Sequence, residues 1–238
     1  MVAWRERLDR EEPFFRALFR QIDARMVLDV GCATGGHVLR FADMGLEAVG
    51  VDPSGEMVRL ARERAAGRAG VRFLQAGFGA LSRRVGTGFD VVTCLGNTLP
   101  HVSTRSRLER ALSDMARTLR TGGLLAIQQL NYDRILQERR RFLGVSSGVS
   151  KGTESLFFRF YDFDGPRLVF NLVTFTREKS GTWSFQVGST RLLPIRKEEL
   201  GRALAGAGFG AVEWYGSYDR DAFDPASSDD LIAVAERR

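Results

Sequence analysis

The sequence predicts an α/β fold, a doubly wound sheet interrupted by a three-stranded antiparallel β insertion. Short apolar strand-like runs alternate with helix-period segments as far as Leu130. Three β-branched and aromatic runs then follow one another with no helix between them, and the alternation returns after Leu193. Parallel strands need helical crossovers and read as apolar when both faces are covered, whereas hairpins need only turns.

From Leu8 to Ile22 the apolar residues Phe14, Leu18 and Ile22 recur at helical spacing, one stripe of a helix. Strands are expected over Met26 to Val30, Ala48 to Val51, Val71 to Gln75, Asp90 to Leu95 and Leu124 to Leu130. Helices are expected from Gly36 to Met44, Ser54 to Ala66 and Thr104 to Leu119. Ser54 precedes Glu56 and the apolar Met57, Leu60 and Ala61, so its hydroxyl can cap free N–H groups of the first turn. Thr121-Gly-Gly123 offers a left-handed stop to the helix ending at Leu119.

Leu156 to Phe163, Arg167 to Thr176 and Thr182 to Leu193 then read as a meander joined by turns at Asp164-Gly-Pro and Lys179-Ser-Gly. Alternation puts Leu156, Phe158 and Phe160 on one face and Phe157, Arg159, Tyr161 and Phe163 on the other. One face must cover core, and the other could roof a substrate as a lid or pair subunits into a homo-oligomer. A helix over Lys197 to Ala207, a stop at Gly208-Phe209, and strands at Ala211 to Tyr215 and Leu231 to Ala235 close the chain. With no internal repeat or low-complexity linker, residues 1–150 and 194–238 are expected to form one domain, and 151–193 an insertion within it.

At 238 residues, 44% hydrophobic and 27% charged, the chain has the make-up of a globular enzyme. No apolar run approaches the length that spans a bilayer, and the N-terminus MVAWRERLDREEPFF lacks the apolar core of a signal peptide, so the expected location is cytoplasmic. The net charge of +6 permits nucleic-acid binding, but the arginines are scattered among acids. The one run, Arg139 to Arg141, reads as a solvated helix face. Cys32 and Cys94 form no CxxC or Cys/His cluster, so neither a disulfide nor a metal site is expected.

The chemistry is concentrated in VLDVGCATGG, Val27 to Gly36: a strand, a glycine-rich turn and the start of a helix, the arrangement that borders a ligand crevice. A second acid, Asp52 in VGVDPS, closes the next strand where such folds present a carboxylate to a ribose. Gly31, Ala33 and Gly36 alone are also compatible with a dinucleotide fingerprint. Asp29 argues otherwise, because a carboxylate there would repel a pyrophosphate but attract the ammonium and sulfonium of S-adenosylmethionine.

DVGCATGG, VGVDPS and FDVVTCLGN together resemble the successive motifs of class I S-adenosylmethionine-dependent methyltransferases, and CLGNTLPHV and NYDRIL resemble segments of glycine N-methyltransferase-like small-molecule enzymes. The resemblance runs from Met26 to the end and implies a Rossmann-like seven-stranded sheet with S-adenosyl-L-methionine as cofactor. It implies that the turn carrying Gly31, Ala33 and Gly35 approaches the methionine end, that Asp29 holds the ammonium directly or through water, and that Asp52 accepts the ribose hydroxyls. Pro53 and Met57 would flank the adenine, although an apolar pair at a helix start is equally well core. Gly77 stands where relatives carry an acid or amide, leaving the adenine to the Phe78 N–H and ring. Ala33 in place of a motif glycine is acceptable where backbone angles are ordinary.

The same resemblance gives Leu95 a backbone contact to the ammonium and turns Asn97 and His101 toward the acceptor as catalytic and substrate-binding residues. A turn-bonding role for Asn97 and a helix-start role for His101 remain open. His37 reads as a helix-terminal residue near solvent. Glycine methyltransferases carry an arginine before Asn-Tyr-Asp that grips the substrate carboxylate; here it is Leu130. Glycine is therefore not the expected acceptor unless Arg159 or Arg191 reaches in, and Asn131, Tyr132 and Tyr161 are further candidate pocket residues.

Methyl transfer from a sulfonium needs alignment and exclusion of water. The expected reaction is methylation of a small molecule, at nitrogen rather than oxygen, with no metal, membrane or nucleic-acid partner. Three rivals stand beside it: an RNA methyltransferase, which the sequence gives no appended module, a non-catalytic S-adenosylmethionine-binding protein, and a dehydrogenase.

Overall fold

The computed structural model describes residues 4–150, 152–165, 167–178 and 181–238. Helix α1 (Trp4–Gln21) leads into β1 (Met26–Val30), α2 (Gly36–Asp43), β2 (Glu47–Asp52), α3 (Gly55–Ala65), β3 (Val71–Gln75), α4 (Leu81–Val85) and β4 (Phe89–Cys94). A 3₁₀ turn (Leu99–Val102), α5 (Arg105–Thr118), β5 (Leu119–Leu130) and α6 (Tyr132–Gln137) follow. Four strands come next: β6 (Phe142–Ser150), β7 (Thr153–Asp164), β8 (Arg167–Arg177) and β9 (Trp183–Leu192). The chain closes with α7 (Lys197–Gly206), β10 (Phe209–Tyr215) and β11 (Asp230–Arg237).

The main sheet has seven strands in the order β10-β11-β5-β4-β1-β2-β3. The five strands β5-β4-β1-β2-β3 run parallel, and β11 and β10 add antiparallel to β5 and β11. Adjacent residues on one strand feed opposite cores: Leu28 packs with Val92, Leu112 and Leu200, while Val27 packs with Phe14, Phe41 and Val91. Both faces are thus covered by helices, which is why the central strands read as unbroken apolar runs. Strand order reverses between β1 and β4, so their carboxyl ends diverge and open a crevice.

The second sheet is antiparallel in the order β6-β7-β8-β9. It has one strand more than the three expected and begins at Phe142. Its extra strand, FLGVSSGVS, is too rich in serine and glycine to carry a strand signal. Tyr161, Leu168 and Leu192 on its inner face bury with Tyr132 and Ile135. The outer face carries a stacked Phe142–Phe158–Phe160 group and leaves Phe142, Val145, Val149, Trp183, Phe185 and Val187 exposed.

Other local expectations need correction. Helix α5 stops at Thr118 and Leu119 is already extended, so the glycines do not cap it; Gly122, at φ +73°, bends the start of β5 instead. Arg139 to Arg141 are not a helix face: Arg139 lies over the Phe163 ring, Arg140 pairs with Asp229 and Arg141 with Asp162. The helices α4 and α6 were not expected, being too short to show a period. Ser54 does cap α3, accepting the Met57 N–H, and the structure adds Thr104 as the cap of α5, accepting the Arg107 N–H. Pro166, Lys179 and Ser180 of the two expected meander turns, and Met1 to Ala3, lie outside the described residues. Among the described residues no helix is long and apolar enough to cross a membrane.

Candidate active site

A cleft of about 780 Å³ opens at the carboxyl ends of β1, β2 and β3, within the range of small-molecule sites. Val30, Gly31, Ala33, Asp52, Pro53, Gly77, Phe78 and His101 line it. The Asp52 carboxylate is held by two backbone donors: Ala33 N–H reaches Oδ2 at 3.0 Å and Ser54 N–H reaches Oδ1 at 2.9 Å. Each oxygen keeps a lone pair, enough to receive a vicinal diol.

Four backbone donors of the glycine-rich turn are engaged. Gly31 and Cys32 N–H both donate to the Val51 carbonyl, at 2.8 and 3.0 Å, and Gly35 N–H donates to the Cys32 carbonyl at 2.8 Å. With Ala33 N–H on Asp52, these groups are withdrawn from the phosphate cradle a dinucleotide would need. The donor set fits a cofactor with a ribose and no phosphate. The Phe78 N–H has no partner among the described residues, and Gly77 keeps the space beside Pro53 open, its Cβ position being 3.6 Å from the Pro53 Cβ. Both features suit an adenine edge.

Asp29 stands just behind this wall, buried, and does not line the cleft. Burial raises its pKa, against the Thr93 hydroxyl that donates to Oδ1 at 2.8 Å. Gly35 and Met57 also lie off the cleft. At Gly35, φ is +79° and an added Cβ would meet the Phe73 ring at 2.5 Å, so this glycine serves packing against β3. Ala33 departs from the expected ordinary geometry: its φ is +46°, in the left-handed region.

In the segment after β4, Gly96 and Asn97 both have positive φ and turn the chain. Asn97 Oδ1 accepts from the Leu130 N–H at 3.1 Å and from the Tyr132 hydroxyl at 3.0 Å. A backbone N–H can only donate, so this fixes the amide orientation and leaves Nδ2 as the remaining donor; Asn97 itself lines neither the cleft nor the smaller cavity beside Leu130. Leu95 gives its carbonyl to the Thr98 hydroxyl at 2.6 Å. Tyr132 is fully buried, which holds its phenol well above its usual pKa and protonated. His101 lies on the cleft rim, and partial burial against the wall lowers its pKa.

The remaining candidates divide. Leu130, Asn131 and Arg159 share a smaller cavity of about 210 Å³. The Asn131 amide is committed to the fold, capping Arg134 N–H (3.2 Å) and donating to the carbonyls of Pro225 (3.1 Å) and Ser228 (2.9 Å). Tyr161 is buried beside Tyr132 on the inner face of β7. Arg191 is exposed opposite Val169 on the outer face, so it does not reach the site.

Several features escaped the sequence. Thr98, Arg107 and Arg110 line the cleft. His37 is not near solvent but buried, with Nε2 2.7 Å from Glu11 Oε2, and Arg7 Nε lies 2.6 Å from Glu11 Oε1. Burial raises the Glu11 pKa, but His37 and Arg7 outweigh it and hold the carboxylate below its usual value. An acid inside the helical stripe at Glu11 was the available signal.

A methyltransferase domain family matches residues 27–123. The chain is 30% identical over 241 residues to the glycine/sarcosine N-methyltransferase of Parasynechococcus marenigrum (strain WH8102), covering all of this chain and 80% of that protein. It is 36% identical over 146 residues to the glycine N-methyltransferase of Oryctolagus cuniculus, covering 56% of this chain and 50% of that one. Among solved structures, the fold matches the SAM-bound amino pentose methyltransferase of Micromonospora echinaspora with a TM-score of 0.76 at 22% identity, over 99% of this chain and 92% of that one. With its cleft, its motif turn and a relative matched along the whole of this chain in agreement, the chain belongs to the class I S-adenosylmethionine-dependent methyltransferases.

Proposed function

We propose that the protein N-methylates a small molecule, with the cofactor held in the cleft between the Gly31 turn, Asp52 and Phe78. The observation that carries this reading is the Asp52 carboxylate, oriented by two backbone donors inside a cleft whose turn offers no phosphate cradle. S-adenosylmethionine supplies an electrophilic methyl group on a sulfonium. Asp52 would accept the ribose hydroxyls, and Asp29 would bias the inner end of the cleft toward an ammonium. Leu130 gives the acceptor side an apolar wall, which suits an amine bearing further carbon better than glycine.

The acceptor nitrogen must be neutral when it attacks, so an amine that arrives as an ammonium gives up one proton first, and the methylated product keeps the transferred positive charge as an ammonium. His101, neutral near pH 7 because its pKa is lowered, can take up that proton. Tyr132, kept protonated by burial, fixes Asn97 so that the Asn97 amide N–H aligns the acceptor. Acids pair many of the arginines, including Arg40 with Asp9 and Arg120 with Asp90, which favours a small molecule over RNA. We further propose that the outer face of the second sheet joins a second copy of the chain. Its six exposed apolar side chains present on the order of 600 Å², against roughly 800 Å² per partner in a standard interface.

The test is calorimetric titration with S-adenosylhomocysteine and, in parallel, NADH. Binding of the former and its loss in Asp52→Ala are expected; binding of NADH alone would sink the assignment. Turnover on a panel of amines and alcohols then separates nitrogen from oxygen acceptors and an enzyme from a binding protein.

A further inference from the structure

The smaller cavity, bounded by β5, α6, β7 and the loop before β11, has an unbalanced charge. Arg134, Arg140, Arg159 and Asp229 line it, three cations against one anion. Asp229 is shared between Arg134 at 3.2 Å and Arg140 at 3.3 Å, and Arg134 also pairs with Glu138 at 2.9 Å, so the imbalance rests on Arg159. Arg159 has no acid partner among the described residues; its one hydrogen bond is a long contact of 3.3 Å to the Ser146 hydroxyl. Its Nε is buried with no acceptor. Two residues along the same face of β7, the buried Tyr161 hydroxyl stands beside the Tyr132 hydroxyl, and the Arg159 charge acts on it.

Buried donors without partners are uncommon, and each costs about 1–3 kcal/mol when left unsatisfied. A guanidinium without an acid beside a donor hydroxyl asks for an anionic oxygen ligand. At about 210 Å³ the cavity is below the roughly 300–1,000 Å³ of a whole-ligand pocket, so it fits one functional group of a larger molecule. It also borders the acceptor side: Leu130 lines it, and the Leu130 N–H is bound by Asn97.

We propose that this cavity binds the anionic end of the methyl acceptor, a carboxylate or phosphate, with Arg159 as the residue that selects for it. The substrate is then an amine carrying an anionic group rather than a neutral amine. This inference rests on the methyltransferase reading. Arg159 does not touch the reacting atoms and sets specificity by anchoring the far end of the substrate.

The experiment uses three amine probes that differ at the other end: sarcosine (carboxylate), O-phosphoethanolamine (phosphate) and N-methylethanolamine (neutral). Each is titrated into the full chain by protein-observed NMR, with and without saturating S-adenosylhomocysteine. At least one anionic probe is expected to bind tenfold or more tightly than the neutral one, and which one identifies the anion. Arg159→Leu should remove that preference by tenfold or more while leaving S-adenosylhomocysteine affinity unchanged, and Arg159→Lys should restore part of it. If Arg159→Leu fails to fold, Arg159→Gln takes its place. In the wild type, rising ionic strength should weaken the anionic probe only. Equal binding of all three probes, or an unchanged preference in a folded Arg159 variant, overturns the inference alone. Failure of S-adenosylhomocysteine to bind overturns the methyltransferase reading instead.

Discussion

Replacing Gly31 with alanine tests why the cofactor turn needs glycine. Gly31 has φ +79°, and a Cβ there would stand 2.3 Å from Thr98 Cγ2 and 3.0 Å from Thr98 Oγ1. A left-handed conformation costs an L-residue about 1–2 kcal/mol. Relieving the contact requires Thr98 to rotate, breaking its 2.6 Å bond to the Leu95 carbonyl, worth about 0.5–1.5 kcal/mol. Gly31→Ala should therefore lose about 2–3 kcal/mol, a fall in thermal midpoint of roughly 5–10 °C for a chain of this size, and S-adenosylhomocysteine affinity should drop with it. Adding Thr98→Ser removes Cγ2 and keeps the hydroxyl, so it should return about 1 kcal/mol of the steric part and none of the backbone part. Thermal unfolding of both single variants and the double variant closes the cycle. A Gly31→Ala protein that melts with the wild type, or a cycle with no coupling to Thr98, would refute the reasoning.

Three further outcomes are expected. Asp114, buried at 1% exposure, accepts from Leu81 N–H at 2.7 Å and from the Ser82 hydroxyl at 2.8 Å. Burial raises its pKa, but these bonds and Arg117 outweigh it and leave the pKa lowered. Its contribution is thus present above the unfolded value of about 4 and lost as pH falls through the folded value. Asp114→Asn should cost about 1–3 kcal/mol at pH 7, a gap that chemical denaturation should find closing in acid; a gap constant with pH would contradict this. His101 has a lowered pKa, so the unfolded chain takes up its proton first and acidification below about pH 6.5 works against the fold; its NMR titration midpoint should fall below that value. Phe185→Asp, on a side chain 67% exposed, should shift a dimer to monomer in sedimentation velocity without lowering the thermal midpoint of the monomer. A wild type that sediments as a monomer rules that surface out.

The central sheet was legible because each parallel strand is buried on both faces and each crossover helix shows one apolar stripe. Met26 to Val30 and Val71 to Gln75 match the strand bounds to the residue, and Ser54 marks its helix start because a hydroxyl beside free N–H groups has a fixed chemical meaning. Elements of five or six residues, such as α4 and α6, have too few turns to show a period, and the serine and glycine of β6 carry no strand signal. Within the site, Gly31, Ala33, Asp52, Pro53, Gly77, Phe78 and His101 were named from local motifs and do share the cleft.

The order of elements and the acid-and-glycine turn at the head of the crevice are legible in the chain itself, because both follow from contacts between near neighbours. Which donors of that turn are engaged is set in space, since Gly31, Cys32 and Ala33 donate to Val51 and Asp52 on the next strand. Only the tertiary structure paired His37 with Glu11 across 26 residues and set Arg159 beside Leu130 in a common cavity. Burial and electrostatic pairing depend on distance in space, and that distance is fixed once the sheet has closed.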